Sequence, residues 1–80
     1  MRTINENDIA RCVCSAVENY FKDLDGEKPS PIYEMVMRSV EKPLIDLVVK
    51  HAGGNQTRAA ELLGINRNTL RNKISQYRIK

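Results

Sequence analysis

The 80-residue sequence has few of the residues that hold metal ions or form disulfide frameworks. It contains two cysteines, Cys12 and Cys14, and one histidine, His51. Two thiols give no disulfide framework. On a helix, residues two apart point about 160° away from each other, so these thiols cannot bind one metal ion together. We therefore expect reduced cysteines, no metal site and no cofactor.

Long apolar runs and catalytic motifs are also missing. No apolar segment approaches the ~20 residues of a membrane span, and residues 1–10 lack the apolar core of a signal peptide. The glycine pair Gly53-Gly54 joins two predicted helices, whereas a phosphate-binding loop joins a strand to a helix. No Ser–His–acid set can be placed with a defined geometry. These absences predict a cytoplasmic protein that is not an enzyme and has no membrane partner.

Acidic residues are almost absent from the end of the chain. Residues 1–50 contain seven Lys/Arg and nine Asp/Glu, a balance of −2. Residues 51–80 contain six Lys/Arg and only one acidic residue, Glu61, a balance of +5. Positive charge concentrated in one segment is typical of a surface that meets phosphates. A basic face that is merely solvated is the alternative interpretation.

The same segment carries the pattern of a helix-turn-helix. Asn55 is a suitable N-cap, and apolar residues follow it at helical spacing. These apolar residues are Ala59, Ala60, Leu62 and Leu63. Gly64 supplies the left-handed residue that ends the first helix, Ile65 turns back toward the core, and Asn66 caps the second helix. The small side chain of Ala60 lets the two helices cross closely.

The second predicted helix has two contrasting faces. Its inner face is apolar and its outer face is basic or amide-bearing. The inner face consists of Leu70, Ile74 and Tyr77, and the outer face of Arg67, Asn68, Arg71, Asn72 and Ser75. A structural hairpin can show any one of these features, but their coincidence favours DNA binding.

The first half of the chain predicts packing helices. A short mobile arm over residues 1–7 precedes a helix that is capped by Asp8 and runs to about Asp23. A turn rich in Gly, Pro and Ser follows over residues 25–31. One broad apolar stripe runs along the helix. It comprises Ile9, Val13, Ala16, Val17, Tyr20, Phe21 and Leu24.

The next predicted helix runs from about Ile32 to His51 and is apolar on nearly every side. It continues through Pro43, where a kink is expected. An 80-residue chain is too short to cover such a helix, whereas a second copy would cover it. We therefore expect a homodimer whose dimerisation helices lie in residues 8–52, with a helix-turn-helix in residues 53–80.

Four segments, in order and at matching spacing, carry a family resemblance. They are NYF at Asn19–Phe21, the pair Pro43-Leu44, GNQTRAA at Gly54–Ala60 and GINRxTLR at Gly64–Arg71. With these segments the chain resembles the Fis family (factor for inversion stimulation) of bacterial nucleoid-associated DNA-binding proteins. The resemblance implies an all-α fold with four helices per subunit. The first two helices would form the core of an intertwined homodimer, and the last two the helix-turn-helix.

The resemblance also implies roles for individual residues. Arg67 is expected to reach base edges, because Arg–guanine is the commonest specific contact in the major groove. Asn66, which precedes it, is expected to approach bases as well. Other positions match residues that contact phosphates and so fix register without reading sequence. They are Asn55, Thr57, Thr69 and Arg71, with Arg58 as a further phosphate contact. Asn72 and Lys73 complete the expected DNA-binding set.

The sequence departs from the best-known member of the family at two places. Asn72, Ser75 and Gln76 stand where that member has lysines, so we expect fewer phosphate contacts and weaker or less salt-sensitive binding. That member also has a longer mobile arm, which touches DNA invertases. Contact with a recombinase is therefore not carried over, while RNA polymerase is kept as a candidate partner.

The implied function is that of a DNA-bending homodimer that regulates transcription from degenerate palindromic sites. Two recognition helices would enter successive major grooves of double-stranded DNA. In the family these helices are closer than one turn of B-DNA, so the duplex must bend or narrow its minor groove between them. Specificity would then come partly from deformable central base steps.

Two alternatives stay open. One is the C-terminal DNA-binding domain of a nitrogen-regulator-type enhancer-binding activator, which shares the helix-turn-helix and the dimer core. Met1 and the lack of a linker-like start favour a complete small protein. The other is a dimeric helical adaptor that binds protein partners through the acidic N-terminal half. Salt-dependent DNA affinity would distinguish the adaptor, which should show little.

Overall fold

The computed structural model describes residues 3–79, and all regular secondary structure in that range is helical. Four helices lie in this range: α1 (Glu6–Leu24), α2 (Ile32–His51), α3 (Gln56–Leu63) and α4 (Arg67–Tyr77). The predicted all-α fold with a C-terminal helix-turn-helix is therefore confirmed. None of the described helices is both long and apolar enough to cross a membrane. The predicted arm, residues 1–7, falls partly on residues 1 and 2, which lie outside the described range.

Helix α1 begins earlier than the sequence pattern suggested. The cap is Asn5, whose side-chain oxygen accepts a hydrogen bond from the backbone N–H of Asn7 at 3.0 Å. Asp8, predicted as the cap, lies instead in the first turn beside Glu6. Both carboxylates are favourable there because the helix N-terminus carries partial positive charge. The prediction was wrong because Asn5 and Asp8 are equally good cap residues by type.

The described residues divide into two compact units, with the boundary between Val36 and Met37 inside α2. In the first unit, α1 ends at Asp25, which adopts the left-handed conformation. The backbone N–H of Ser30 then donates to the Tyr20 hydroxyl at 2.9 Å, which fixes the turn against α1. No residue of α1 is buried within the chain. Its apolar stripe, predicted as a packing face, is only partly covered, and Ile9 and Phe21 are exposed.

Helix α2 extends without a break through Pro43, as predicted. The predicted kink at that residue stays a prediction. The helix ends where Gly54 donates its N–H to the carbonyl of Val49 at 3.0 Å. Gly54 has φ of 84°, a left-handed value that a side chain would disfavour, so glycine suits this helix end. The assignment of residues 8–52 to dimerisation and 53–80 to DNA binding stays a prediction.

The core of the second unit joins the end of α2 to the helix-turn-helix. Seven buried apolar residues form one contiguous cluster. They are Ile45, Val49, Ala52, Ala59, Ala60, Leu70 and Tyr77. Partly buried side chains surround this cluster, among them Leu63, Ile65 and Ile74. The predicted inner faces of α3 and α4 are thus confirmed, with Leu62 as the exception.

Leu62 is one of the four apolar residues that the sequence places at helical spacing in α3, but 51% of its surface is exposed. At 100° per residue, Ala59, Ala60 and Leu63 already fill the inward stripe of this short helix. Leu62 falls beside that stripe and points outward. The error arose because adjacent apolar residues in a helix cannot all face one side.

Truncation of Leu70 should be the more damaging of two matched changes in the helix-turn-helix. Leu70 is fully buried, so Leu70→Ala should lower the free energy of unfolding by about 3 kcal/mol through lost burial and an internal cavity. The control Leu62→Ala removes the same atoms from a half-exposed position and should cost under about 1 kcal/mol. Urea unfolding at one fixed protein concentration measures both. Equal losses would contradict this description of the core.

Candidate nucleic-acid interface

Two asparagine caps fix the helices of the helix-turn-helix. The Asn55 side-chain oxygen accepts a hydrogen bond from the backbone N–H of Arg58 at 3.1 Å. The Asn66 side-chain oxygen accepts one from the backbone N–H of Asn68 at 2.7 Å. Both caps confirm the sequence prediction. Each satisfies a backbone donor that the helix itself leaves unpaired.

The turn between α3 and α4 depends on Gly64. This residue has φ of 74°, and its N–H donates to the carbonyls of Ala60 and Glu61. The N–H of Ile65 also donates to the Ala60 carbonyl, at 3.1 Å, and the Ile65 side chain packs against the core. These bonds close α3 and set the direction in which α4 starts. The predicted tight turn is confirmed.

Most of the residues predicted to bind DNA lie on the exposed surface of this motif. Eight of the nine are exposed. They are Asn55, Thr57, Arg58, Asn66, Arg67, Thr69, Arg71 and Asn72. Lys73, the ninth, is partly buried. The exposed residues lie in or just before α3 and α4, but their contact with DNA stays a prediction.

Arg67 is held in place by the neighbouring helix. Its Nη1 donates to the Thr57 hydroxyl oxygen at 3.4 Å, which links the first turns of α3 and α4. The bond is long, so its role is to orient the guanidinium, with little gain in stability. Four other donors of the guanidinium remain, and the Thr57 hydroxyl can still donate. Both side chains of the pair therefore keep donors that a ligand can use.

Positive charge dominates this surface. Between residues 51 and 79 the only acidic residue is Glu61, on α3. The cationic residues in that range are Arg58, Arg67, Arg71, Lys73 and Arg78. All four arginines are exposed. This distribution creates the positive potential that attracts a polyanion.

A polar cluster at the inner edge of α4 connects that helix to α2. Glu41 of α2 accepts a hydrogen bond from the Tyr77 hydroxyl at 2.8 Å, and its other carboxylate oxygen lies 2.6 Å from the Lys73 ammonium. The Arg38 guanidinium lies 5.8 Å from the centre of the Tyr77 ring, within cation–π distance. The cluster anchors the second half of α4. Lys73, predicted to contact DNA, is thus already paired with a carboxylate.

Proton affinities in this cluster follow from its hydrogen bonds. Donation by Lys73, and then by Tyr77, holds the pKa of the Glu41 carboxyl below its ordinary value. The same bond to Glu41 raises the pKa of the Tyr77 phenol. Glu41 was not singled out from the sequence, because its partner Tyr77 lies 36 positions away and no spacing rule connects them.

Across positions 3–79 no three His, Cys, Asp or Glu side chains are grouped so that they could hold a metal ion. Cys12 and Cys14 are exposed, free thiols on α1.

The family model of bacterial regulatory proteins of the Fis family matches residues 36–77. The chain belongs to the Fis family. The matched segment includes most of α2 and all of α3 and α4, so the family signature coincides with the capped motif and the α2 face that supports it. The resemblance drawn from four short segments is therefore confirmed.

Individual relatives are similar over most of their length. A Fis-like DNA-binding protein of Ralstonia nicotianae is 47% identical over 92% of this chain and 96% of its own. One from Neisseria meningitidis serogroup A is 50% identical over 88% and 89% of the two chains. The DNA-binding protein Fis of Glaesserella parasuis is 49% identical over 95% of this chain and 72% of its own.

Neutralising Glu41 should remove a contribution to stability that depends on pH. Because the folded pKa of Glu41 is depressed, this contribution is complete above the unfolded value of 4.5 and disappears as pH falls through the folded value. Glu41→Gln should therefore cost about 1 kcal/mol near neutral pH. The cost should vanish in acid, below the folded pKa. Urea unfolding at several pH values, at matched protein concentration, measures it.

Glu61→Gln is the matched control, since it makes the same chemical change at an exposed position of α3. Its cost should be small and should vary little with pH. A Glu41→Gln difference that persists unchanged below the folded pKa would mean that the Glu41 charge is not the cause.

Proposed function

We propose that this protein is a homodimeric DNA-binding protein of the bacterial nucleoid that bends its sites and regulates transcription. The observation that supports it best is α4 itself: a capped helix with a buried apolar face and an exposed face of arginine and amide side chains. A helix with these two faces, crossing a second helix at a tight turn, suits the major groove. The relatives named as DNA-binding proteins support the same function.

Affinity would come mainly from phosphates, and sequence preference from a few side chains. Arg67 approaches base edges, while Asn55, Thr57, Thr69 and Arg71 hold the duplex backbone. The charge of +5 in residues 51–80 supports salt-dependent binding. Asn72, Ser75 and Gln76 provide no cations along the later turns of α4, and Lys73 is shared with Glu41. The salt dependence is therefore expected to be modest for a protein of this family.

A homodimer is supported by a second apolar face on α2. The first face, with Ile45 and Val49, is buried under the helix-turn-helix. The second carries four exposed apolar residues at alternating spacings of three and four positions. They are Met37, Val40, Leu44 and Leu47. This spacing is typical of helices that pack along their length, and exposed stripes of this kind mark protein–protein contacts.

Bending and regulation follow from the dimer. Two copies of α4 on one face of the duplex would reach successive major grooves, and the family arrangement requires the DNA to curve between them. A protein that curves DNA at degenerate sites can organise the nucleoid and alter promoter geometry. RNA polymerase is a candidate partner in that second role.

Two other functions are less well supported. The terminal domain of an enhancer-binding activator shares this motif, but the relatives above, covered over 72–96% of their length, carry Fis names. A helical adaptor that binds partners through the N-terminal half does not account for the exposed arginines of α3 and α4. Binding to duplex DNA that weakens with salt would exclude the adaptor.

The subunit contact should be sensitive to charge on the second face of α2. Leu44→Glu places a carboxylate in the middle of that stripe, so the dimer should dissociate because a buried unpaired charge is costly. Sedimentation velocity should give a monomer for this variant and a dimer for the wild type. Leu62→Glu makes the same change at an exposed leucine outside the stripe and should remain dimeric. A dimeric Leu44→Glu protein would contradict this interface.

The effect of Arg67 on DNA affinity should exceed that of removing a positive charge elsewhere in the chain. Arg67→Ala should weaken binding to a degenerate palindrome by about 1–3 kcal/mol per half-site in gel-shift titrations. Arg11→Ala removes one positive charge from α1 and should change affinity little. An unchanged affinity and footprint for Arg67→Ala would contradict the base-reading role.

The same gels can test bending, with an A/T-centred site circularly permuted along fragments of fixed length. Wild-type complexes should migrate at rates that depend on the position of the site. Discrete shifts without that dependence would favour a conventional operator reader, and no shift at low salt would favour the adaptor.

A further inference from the structure

Asparagine is the most frequent polar residue around the start of α4, and its three copies are not equivalent. Asn66, Asn68 and Asn72 all lie on the exposed surface. The oxygen of Asn66 is committed to the backbone N–H of Asn68 at 2.7 Å. Within residues 3–79, the carboxamide of Asn68 has no hydrogen-bond partner, so both its oxygen and its NH₂ group are free for a ligand.

The chemistry of adenine distinguishes between these residues. Adenine presents an acceptor, N7, and a donor, the N6 amino group, to the major groove, and a carboxamide that can turn freely pairs with both. Asn66 suits this pairing less well, because its oxygen already accepts the capping hydrogen bond and that bond fixes the direction of the carboxamide. Arg67 carries donors only and therefore suits guanine. Asn68 suits the pairing with adenine better.

Position along the helix favours Asn68 over Asn72. Residues at the N-terminal end of a recognition helix contact base edges. Asn68 is the second residue of α4, directly after Arg67, whereas Asn72 lies one turn further on, a rise of about 6 Å. From there a side chain is better placed to meet the backbone of the duplex.

We propose that Asn68 is a specificity-determining residue that reads an adenine in each half-site through both groups of its carboxamide. The inference rests on the proposed DNA binding. It adds a second amide contact to the one that the family resemblance implies for Asn66. Asn66 keeps its structural role as the cap that holds Asn68 in place.

The test begins with selection of preferred sites from a randomised duplex pool by the wild-type protein and by Asn68→Ala. Alanine keeps the backbone N–H that Asn66 caps, and circular dichroism checks that the fold is retained. The wild type should require adenine at one position of each half-site, and Asn68→Ala should accept any base there. In gel-shift titrations the variant should lose about 5- to 150-fold in affinity for the preferred half-site. Its affinity for random duplex should be unchanged.

An analogue of the base gives a sharper measurement. A duplex with 7-deazaadenine at the selected position lacks the N7 acceptor but keeps the base pair. The wild type should bind this duplex more weakly than the natural one, whereas Asn68→Ala should bind the two equally. Asn72→Ala is the matched control. It should weaken binding to all sequences alike, and it should still bind the 7-deazaadenine duplex more weakly than the natural one.

The outcomes separate this inference from the proposed function. If Asn68→Ala still selected the same adenine, the adenine contact would be overturned while DNA binding stood. The same would hold if the wild type bound the 7-deazaadenine duplex and the natural duplex equally. A wild type that bound duplex DNA but selected no preferred base would also overturn the adenine contact alone. Failure of the wild type to bind any duplex even at low salt would overturn both.

Discussion

The burial of one face of α4 against the end of α2 is the contact on which the rest of the second unit depends. Leu70 and Tyr77 enter the same cluster as Ile45 and Val49, and this fixes which side of α4 faces outward. Glu41 then holds the far end of the helix through Tyr77 and Lys73. The exposed row of arginines and amides is therefore a consequence of apolar packing, because a rotation of α4 would expose Leu70.

Much of this organisation could be predicted from local patterns. Caps at Asn55 and Asn66 and the left-handed Gly64 have a mechanism that acts within a few residues, so they were predicted correctly. The start of α1 was not, because Asn5 and Asp8 satisfy the same local rule. Leu62 was misassigned because a short helix has room for only one inward stripe, and the sequence does not say which of several adjacent apolar residues it excludes.

In the candidate site, too, local features could be predicted and contacts between distant residues could not. Its exposed residues follow from periodicity and family resemblance, whereas the Glu41 cluster joins residues far apart in the chain and appears only once the helices are packed. The distinction between three asparagines has the same origin. Residue type alone does not distinguish Asn66 from Asn68, whereas the structure shows that Asn66 caps the helix by accepting a hydrogen bond from the backbone of Asn68.

The core of the second unit is complete within one chain, and this affects how the protein would respond to dilution. Leu70 is fully enclosed by residues of its own chain, so the helix-turn-helix needs no second chain to cover this residue. In the proposed homodimer, the second helix-turn-helix would bind intramolecularly once the first is bound, and so at a high effective concentration. The proposed dimer equilibrium would then make the occupancy of palindromic sites depend on protein concentration.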